Sequence, residues 1–207
     1  MINKEFNLKT CLVTNRNNKT ERQFFHIIEQ AIIGGVSTIQ LREKNTKSKE
    51  FYEIAIKLKK LCDKCKVPLI INDRLDIAIS ANGDGVHIGA EDIPGNVVRD
   101  IIGSNKILGI SASTVNDAIA AEELGADYIG VGAVFPTKSK VTNEISIEKL
   151  KEIVESVNIP VVAIGGINES NISSLKNTGI KGVAIISAIM NSDDPKKIAE
   201  QLNKTIL

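Results

Sequence analysis

Eight short runs of apolar residues follow one another along the chain, and segments with helical spacing separate them. Most of the runs are rich in valine and isoleucine and almost continuously apolar, which is typical of strands buried on both faces. Strands that alternate with helices across short connections indicate a parallel sheet with right-handed crossovers. The runs are residues 11–14, 36–41, 68–71, 85–88, 107–111, 128–134, 160–164 and 182–186.

Chain length decides between the two architectures that this alternation allows. The 207 residues leave about 26 residues for each strand and helix unit, close to the lower size limit of a closed (β/α)8 barrel. An open doubly wound sheet is the alternative, but eight regular units rarely stay open without insertions. Because no linker or low-complexity tract divides the chain, the sequence predicts an α/β protein with one (β/α)8 TIM-barrel domain over residues 1–207.

Several local signals agree with this alternation. Thr20-Glu21-Arg22-Gln23 has the form of a capping box at the start of a helix. Asp194-Pro195 places an N-cap residue before a proline at the first helical position. The three cysteines are an odd count, which argues against a disulfide framework. The longest polar connection, residues 136–146, follows the sixth run and is expected to form an active-site loop.

Composition narrows the class of protein and its partners. The net charge of +1 provides no overall field that would attract nucleic acid or an acidic membrane surface. No apolar stretch approaches the length of a transmembrane helix, and the polar first nine residues lack the apolar core of a signal peptide. We therefore expect a cytoplasmic protein with no nucleic-acid or membrane partner. The oligomeric state stays open, and a homo-oligomer is one of the alternatives.

The end of the second apolar run, Gln40-Leu41-Arg42-Glu43-Lys44, carries an unusual set of polar side chains. In a strand, side chains i, i+2 and i+4 share a face, so Gln40, Arg42 and Lys44 are expected to project together. One amide and two cations on one face predict a binding site for a dianion or polyanion.

Carboxylates follow the next two runs. The third run leads to Asn72-Asp73 and the fourth to Asp92, and neighbouring strands lie about 4.8 Å apart. Two carboxylates that close together would repel unless a cation or a proton intervenes. Mg2+ prefers one or two carboxylates plus phosphate oxygens and water, so Asp73 and Asp92 are predicted to bind Mg2+. The alternative is that Asp73 caps the following helix and Asp92 lies in a solvated turn.

The last two runs indicate a second anion site. Gly165-Gly166 follows the seventh run, and glycine lets backbone amides approach an anion closely. The start of the following helix is expected to direct its N–H groups at that anion. Ser187 follows the eighth run and adds a hydroxyl, so a phosphate monoester is the predicted ligand; the alternative is a Gly-Gly bend without a ligand.

His87 is flanked by Val86 and Ile88, which favours a histidine in or near the core over a catalytic one.

Seven motifs in this order make the chain resemble the thiamine-phosphate synthase family from the first strand to the last. They are Gln40-Leu41-Arg42-Glu43-Lys44, Ile71-Asn72-Asp73-Arg74, Gly85-Val86-His87-Ile88-Gly89, Gly109-Ile110-Ser111, Gly130-Val131-Gly132 with Phe135-Pro136-Thr137, Ala163-Ile164-Gly165-Gly166-Ile167, and Ile186-Ser187-Ala188-Ile189.

The resemblance implies a transferase with two small-molecule substrates. It would join a hydroxymethylpyrimidine diphosphate to a thiazole phosphate, with Mg2+ as the cofactor, and release pyrophosphate. Arg42, Lys44 and Asn72 would then hold the diphosphate, and Asp73 and Asp92 would bind Mg2+. Ser111 would lie near the pyrimidine, and Lys140 would reach the pyrophosphate. The remaining implied substrate-binding residues are Gln40, Leu41 and Glu43 in the first motif, and Thr137, Lys138, Ser139, Gly166, Ile186 and Ser187 for the thiazole phosphate.

Three positions depart from the family pattern. Ser139 stands where threonine is common, Ala90 where glutamine is usual, and Ser113 where histidine is frequent. Two other functions stay open: a thiazole tautomerase of a related barrel family, and a regulatory barrel that binds thiazole phosphate without turnover. The combination of Arg42, Lys44, Asp73, Asp92 and Lys140 counts against the tautomerase, which needs no diphosphate clamp.

Overall fold

The protein is described from a computed structural model, which places residues 6–137 and 144–206. Eight parallel strands close into a barrel in the order of the sequence, with β1 paired to both β2 and β8. The predicted TIM barrel is confirmed. The strands are β1 Thr10–Val13, β2 Thr38–Leu41, β3 Leu69–Asn72, β4 Gly85–Ile88, β5 Ile107–Ala112, β6 Tyr128–Gly132, β7 Val161–Ile164 and β8 Gly182–Ile185.

Helices cover the outside of the barrel. The capping box at Thr20 forms as predicted, and Asp194 caps the last helix, which has Pro195 in its first turn. The helices are α1 Glu21–Ile33, α2 Ser48–Cys65, α3 Leu75–Ser80, α4 Gly95–Ile102, α5 Val115–Glu123, α6 Ile147–Glu155, α7 Ser187–Met190 and α8 Pro195–Thr205, with a 3-10 helix at Ile172–Leu175 between β7 and β8. Among the described residues, no helix is both long and apolar enough to cross a membrane.

The predicted strands differ from the observed ones by at most two residues at either end. Val36 illustrates the cause, because its N–H bonds the Ala31 carbonyl at the end of α1 and so leaves it outside β2. Apolar residues in the turns next to a strand therefore lengthened the predicted run without joining the sheet.

Alternation along the strands separates two layers of side chains. Ile39 and Leu41 in β2 belong to the large core cluster between the barrel and its helices, and Val86 and Ile88 do so in β4. The residues between them point the other way, into the barrel. A second apolar cluster fills the interior of the barrel. That cluster consists of Leu8, Cys11, Val13, Ile70, Ile107, Tyr128, Val162 and Ala184.

Candidate active site

The loop that follows β2 begins at Arg42, whereas a face shared by Gln40, Arg42 and Lys44 would require strand as far as Lys44. The strand ends at Leu41, where the Arg42 N–H donates to the Thr14 hydroxyl at 3.0 Å. The expectation that Gln40, Arg42 and Lys44 share one strand face is therefore wrong beyond Leu41. Gln40 is 5% exposed inside the barrel, whereas Arg42 is half-buried and Lys44 exposed in the loop.

Lys44 nevertheless reaches the next loop. Its Nζ lies 2.7 Å from Oδ2 of Asp73, so the loops after β2 and β3 are joined by an ion pair. Asp73 itself has φ of 63°, in the left-handed region that aspartate tolerates better than most residues. Its N–H donates to the His87 carbonyl of β4 at 2.8 Å, which fixes the backbone in this conformation.

Asp92 lies beside Asp73 in the loop after β4. Its Oδ2 accepts the Gly89 N–H at 2.7 Å. Partial burial raises the pKa of the Asp92 carboxyl; the Gly89 hydrogen bond opposes this, and the nearby Asp73 carboxylate raises the pKa further. The two carboxylates after β3 and β4 therefore lie close enough to interact, as the sequence predicted.

The alternative role of Asp73 as a helix cap does not fit the structure. The N-cap of α3 is Arg74, and no side-chain hydrogen bond caps this helix.

A pair of carboxylates with a lysine ammonium against one of them fits the donor set of Mg2+ together with an anionic ligand. Among the described residues no group of three or more His, Cys, Asp or Glu side chains gathers in a way that could hold a metal ion.

Glu43 is turned away from solvent. Its side chain is 4% exposed, lies 3.3 Å from the Arg16 guanidinium and accepts the Thr46 hydroxyl at 2.8 Å. Arg16 also donates to Glu50 of α2 at 2.6 Å. Within the described residues, the other oxygen of Glu43, Oε1, is buried without a hydrogen-bond partner. The Arg16–Glu43 pair thus ties the loop after β1 to the loop that carries Arg42 and Lys44.

Replacing Glu43 by glutamine is expected to lower the free energy of unfolding by about 1–3 kcal/mol, because a buried partner of a charged group is lost. Glu50→Gln is the matched control, since its side chain is 50% exposed and an exposed ion pair contributes less than about 1 kcal/mol. Urea denaturation of both variants measures the difference. Equal losses would show that Glu43 does not anchor the loop.

A chain of buried polar side chains crosses the barrel below this rim. Gln40 Nε2 donates to the Tyr128 hydroxyl at 3.4 Å, which lies 2.9 Å from His87 Nδ1. His87 Nε2 in turn lies 3.0 Å from the Ser111 hydroxyl. The expectation that His87 lies in or near the core holds, since it is 8% exposed, but it also contacts Ser111 of the predicted site. Sequence reasoning missed Tyr128 and the contact of His87 with Ser111, and the available signal was the pair of glycines, Gly109 and Gly130, in the neighbouring strands.

The second predicted anion site lies at the ends of β7 and β8, on the far side of the ring from β3. Gly165 and Gly166 have φ of 103° and 65°, as expected for a bend that needs glycine. Between β7 and β8 the chain forms only the 3-10 helix Ile172–Leu175, so the α-helix start that was expected to face the anion is not formed. The reason is that the Gly166 carbonyl accepts both the Asn168 and the Asn171 side-chain amides, at 3.0 and 2.9 Å, which hold a compact turn instead.

Residues of the β6 loop approach the same place. A Cβ on Gly166 would lie 2.5 Å from the Pro136 carbonyl, so the backbone before Thr137 packs directly on the β7 turn. After β8, Ile186 is the N-cap of the one-turn helix α7 and Ser187 its first residue. Thr137, Gly166, Ile186 and Ser187 therefore lie at one rim, whereas the predicted Lys138, Ser139 and Lys140 lie outside the described residues.

The family model described as thiamine monophosphate synthase matches residues 10–189 of the chain. The chain belongs to the thiamine monophosphate synthase family. The match spans the barrel from β1 to α7 and so includes every strand that contributes to the rim.

Individual members of the thiamine monophosphate synthase family are similar to this chain over nearly its full length. The chain is 55% identical to the thiamine-phosphate synthase of Clostridium tetani over 203 residues, which cover 98% of this chain and 97% of the relative. It is 53% identical to that of Ruminiclostridium cellulolyticum over 192 residues, covering 92% and 91%. Among solved structures, the thiamine phosphate pyrophosphorylase from Pyrococcus furiosus superimposes with a TM-score of 0.88 at 41% identity, covering 96% of this chain and 95% of that one.

These comparisons confirm the predicted family and, with it, the predicted function of a thiamine-phosphate synthase, a transferase of thiamine biosynthesis.

One departure from the family pattern has a local explanation. Ser113 donates from both its N–H and its hydroxyl to Asp117 Oδ2, at 3.0 and 2.9 Å, and so stabilises the start of α5. The roles of individual side chains stay predictions.

Proposed function

We propose that this rim joins 4-amino-2-methyl-5-(diphosphooxymethyl)pyrimidine to a thiazole phosphate and releases thiamine phosphate and pyrophosphate. The observation that carries the proposal is the meeting of Lys44, Asp73 and Asp92 from three successive loops. Two carboxylates and a lysine at one point suit a diphosphate accompanied by a divalent cation. Family membership supports the same substrates.

In this proposal Arg42, Lys44 and Asn72 bind the diphosphate, and Asp73 and Asp92 hold Mg2+. Bound Mg2+ would supply positive charge that offsets the charge of the departing pyrophosphate. Arg42 adds a planar guanidinium suited to two phosphate oxygens. Lys44 would exchange its contact with Asp73 for the diphosphate, so that both cations of the loop after β2 face the leaving group. Gln40 and Leu41 are the last residues of β2 and place the loop that carries these cations, and Glu43 holds that loop through its ion pair with Arg16.

The chemistry requires little from acid–base groups. An amino-substituted pyrimidine ring spreads the positive charge that develops as the C–O bond to pyrophosphate breaks, so the substitution can run dissociatively. The thiazole nitrogen is a neutral nucleophile and needs no general base. The side chains therefore act mainly by stabilising the departing anion and holding the two rings in line.

The thiazole phosphate is proposed to bind at the ends of β6, β7 and β8. Thr137, Lys138 and Ser139 would contact it from the β6 loop, and Gly166, Ile186 and Ser187 from the turns after β7 and β8. Lys140 would reach across to the pyrophosphate. Since β3 and β7 lie four strands apart in the ring, the two anionic groups occupy separate parts of the rim.

Pyrophosphate release tests the proposal. The purified chain is expected to release pyrophosphate only when both substrates and Mg2+ are present, and EDTA should abolish the release. Rearrangement of the thiazole phosphate without pyrophosphate release would instead indicate a tautomerase. Saturable binding of thiazole phosphate with no turnover would indicate a regulatory barrel.

A further inference from the structure

The polar chain inside the barrel has a defined order of contacts from Gln40 to the rim. Gln40, Tyr128 and His87 are 5%, 3% and 8% exposed, and only Ser111, at the upper end, is exposed. The contacts are Gln40 Nε2 to Tyr128 Oη at 3.4 Å, Tyr128 Oη to His87 Nδ1 at 2.9 Å and His87 Nε2 to Ser111 Oγ at 3.0 Å. A buried network of this kind is costly unless its members satisfy one another.

Sheet register and two glycines bring the two rings together. His87 is paired with Gly109 in β5, and Gly109 with Tyr128 in β6, so the three residues lie in one row across the sheet. A Cβ on Gly109 would lie 2.5 Å from His87 Nδ1 and would also collide with the Tyr128 ring. A Cβ on Gly130 would lie 3.0 Å from His87 Cε1. The missing side chains make the space through which the imidazole and the phenol meet.

The positions of the protons decide which atom donates and which accepts in each hydrogen bond of this network. Burial raises the pKa of the Tyr128 hydroxyl well above its ordinary value, so this group keeps its single proton. Its oxygen accepts the Gln40 amide N–H, and its proton then points to His87 Nδ1. A neutral imidazole that accepts at Nδ1 carries its proton on Nε2 and donates it to Ser111 Oγ. The Ser111 hydroxyl thus already accepts one hydrogen bond and directs its own proton to the rim.

We infer that the Gln40–Tyr128–His87–Ser111 relay makes Ser111 a hydrogen-bond donor that selects a 4-aminopyrimidine over a 4-oxopyrimidine. The inference rests on the proposed function, in which Ser111 lies at the pyrimidine. A neutral 4-aminopyrimidine offers a ring nitrogen with a lone pair beside its amino group. A 4-oxopyrimidine carries a hydrogen on that nitrogen, which would meet the Ser111 donor. Sites built on such polar matches discriminate strongly, because the wrong ring would cover the Ser111 donor and leave it unpaired.

The opposite direction of the same contacts would give the opposite selectivity. If the Gln40 amide presented its oxygen to Tyr128, the Tyr128 proton would point to Gln40 and His87 would donate from Nδ1. Nε2 would then accept the Ser111 proton, and Ser111 would offer only lone pairs to the rim. His87 and Tyr128 are positioning residues in either case, since they act through Ser111.

The tautomer of His87 decides between the two directions without any substrate. The chain has two histidines, and His26 lies exposed on α1, so it provides an internal reference. Nitrogen-15 NMR of the labelled protein near neutral pH is expected to show His87 as the neutral Nε2–H tautomer. The Nδ1–H tautomer, or an imidazolium, would overturn the inference.

A variant that lacks only the Tyr128 hydroxyl tests the selectivity. Tyr128→Phe keeps the ring in place but removes the proton given to Nδ1, so the tautomer of His87 is no longer held. The chain is expected to prefer the 4-amino over the 4-oxo pyrimidine diphosphate in binding, measured calorimetrically, and this preference should fall at least about tenfold in the variant. Tyr52→Phe is the control, because Tyr52 is the other tyrosine and lies exposed on α2.

The outcomes separate this inference from the proposed function. An unchanged preference for the 4-amino ring in Tyr128→Phe, or no such preference in the unsubstituted chain, would contradict the inferred role of the relay. Loss of the preference in Tyr128→Phe, together with the Nε2–H tautomer of His87 in the unsubstituted chain, would support the inference. Preferential binding of the 4-amino ring without pyrophosphate release would support the relay and contradict the proposed synthase reaction.

Discussion

Replacing Asp73 by asparagine is expected to lower Mg2+-dependent turnover by about 100- to 1,000-fold, the range for losing one group that stabilises developing negative charge. Asparagine keeps the shape of the side chain and tolerates the left-handed backbone that Asp73 adopts, so the fold should be preserved. The change removes one of the two carboxylates that meet at the rim. It also removes the partner of the Lys44 ammonium, which lies 2.7 Å away.

Two measurements locate the effect of Asp73→Asn. Binding of Mn2+ in the presence of pyrophosphate, followed by electron paramagnetic resonance, is expected to weaken in parallel with turnover. Thiazole phosphate should bind with unchanged affinity, because its proposed site at β7 and β8 lies across the ring from β3. Simultaneous loss of both ligands would contradict separate sites for the two phosphates.

Asp76→Asn is the matched control for this substitution. Asp76 lies three residues further on, in the first turn of α3, and its side chain is 61% exposed beside Arg74. The exposed pair contributes less than about 1 kcal/mol to stability. Turnover and Mn2+ binding should therefore stay at the level of the unsubstituted chain, and a similar loss in both variants would show a general effect of charge near α3.

Strand positions and the meeting of Asp73 with Asp92 could be predicted because both follow from patterns local to each strand. Apolar runs mark the strands, and sequential parallel strands place the residues after them at one rim. The wrong details arose where side chains compete for backbone groups. The Thr14 hydroxyl takes the Arg42 N–H and is one reason that β2 ends there, and the amides of Asn168 and Asn171 hold a turn where a helix was expected.

The role of His87 shows a different limit of sequence reasoning. Its apolar neighbours correctly indicated a buried position, but its partners lie 24 and 41 residues further along the chain. Only the register of β4, β5 and β6 shows that Gly109 separates His87 from Tyr128 and leaves room for both rings. Periodicity assigns a side chain to a layer, whereas a contact across three strands requires the sheet itself.

Replacing Gly166 by alanine is expected to weaken thiazole phosphate binding at least about tenfold, or about 1.4 kcal/mol. Gly166 has φ of 65°, and a Cβ there would lie 2.5 Å from the Pro136 carbonyl and 2.8 Å from the Phe135 Cβ. Backbone cannot yield as easily as a side-chain end, so the segment leading to Thr137 must move away from β7. The proposed contacts of Thr137 and Gly166 with one phosphate would then be separated.

Gly103→Ala isolates the backbone strain from this collision. Gly103 has φ of 68°, almost the same as Gly166, but a Cβ there would meet nothing within 4 Å. Both variants should lose about 1–3 kcal/mol of unfolding free energy, because alanine tolerates a positive φ poorly. Gly166→Ala should lose a further 1–3 kcal/mol or so from the forced displacement. Urea denaturation and calorimetric titration with thiazole phosphate measure the two effects, and equal results for both variants would mean that close packing of the β6 loop on Gly166 does not shape the phosphate site.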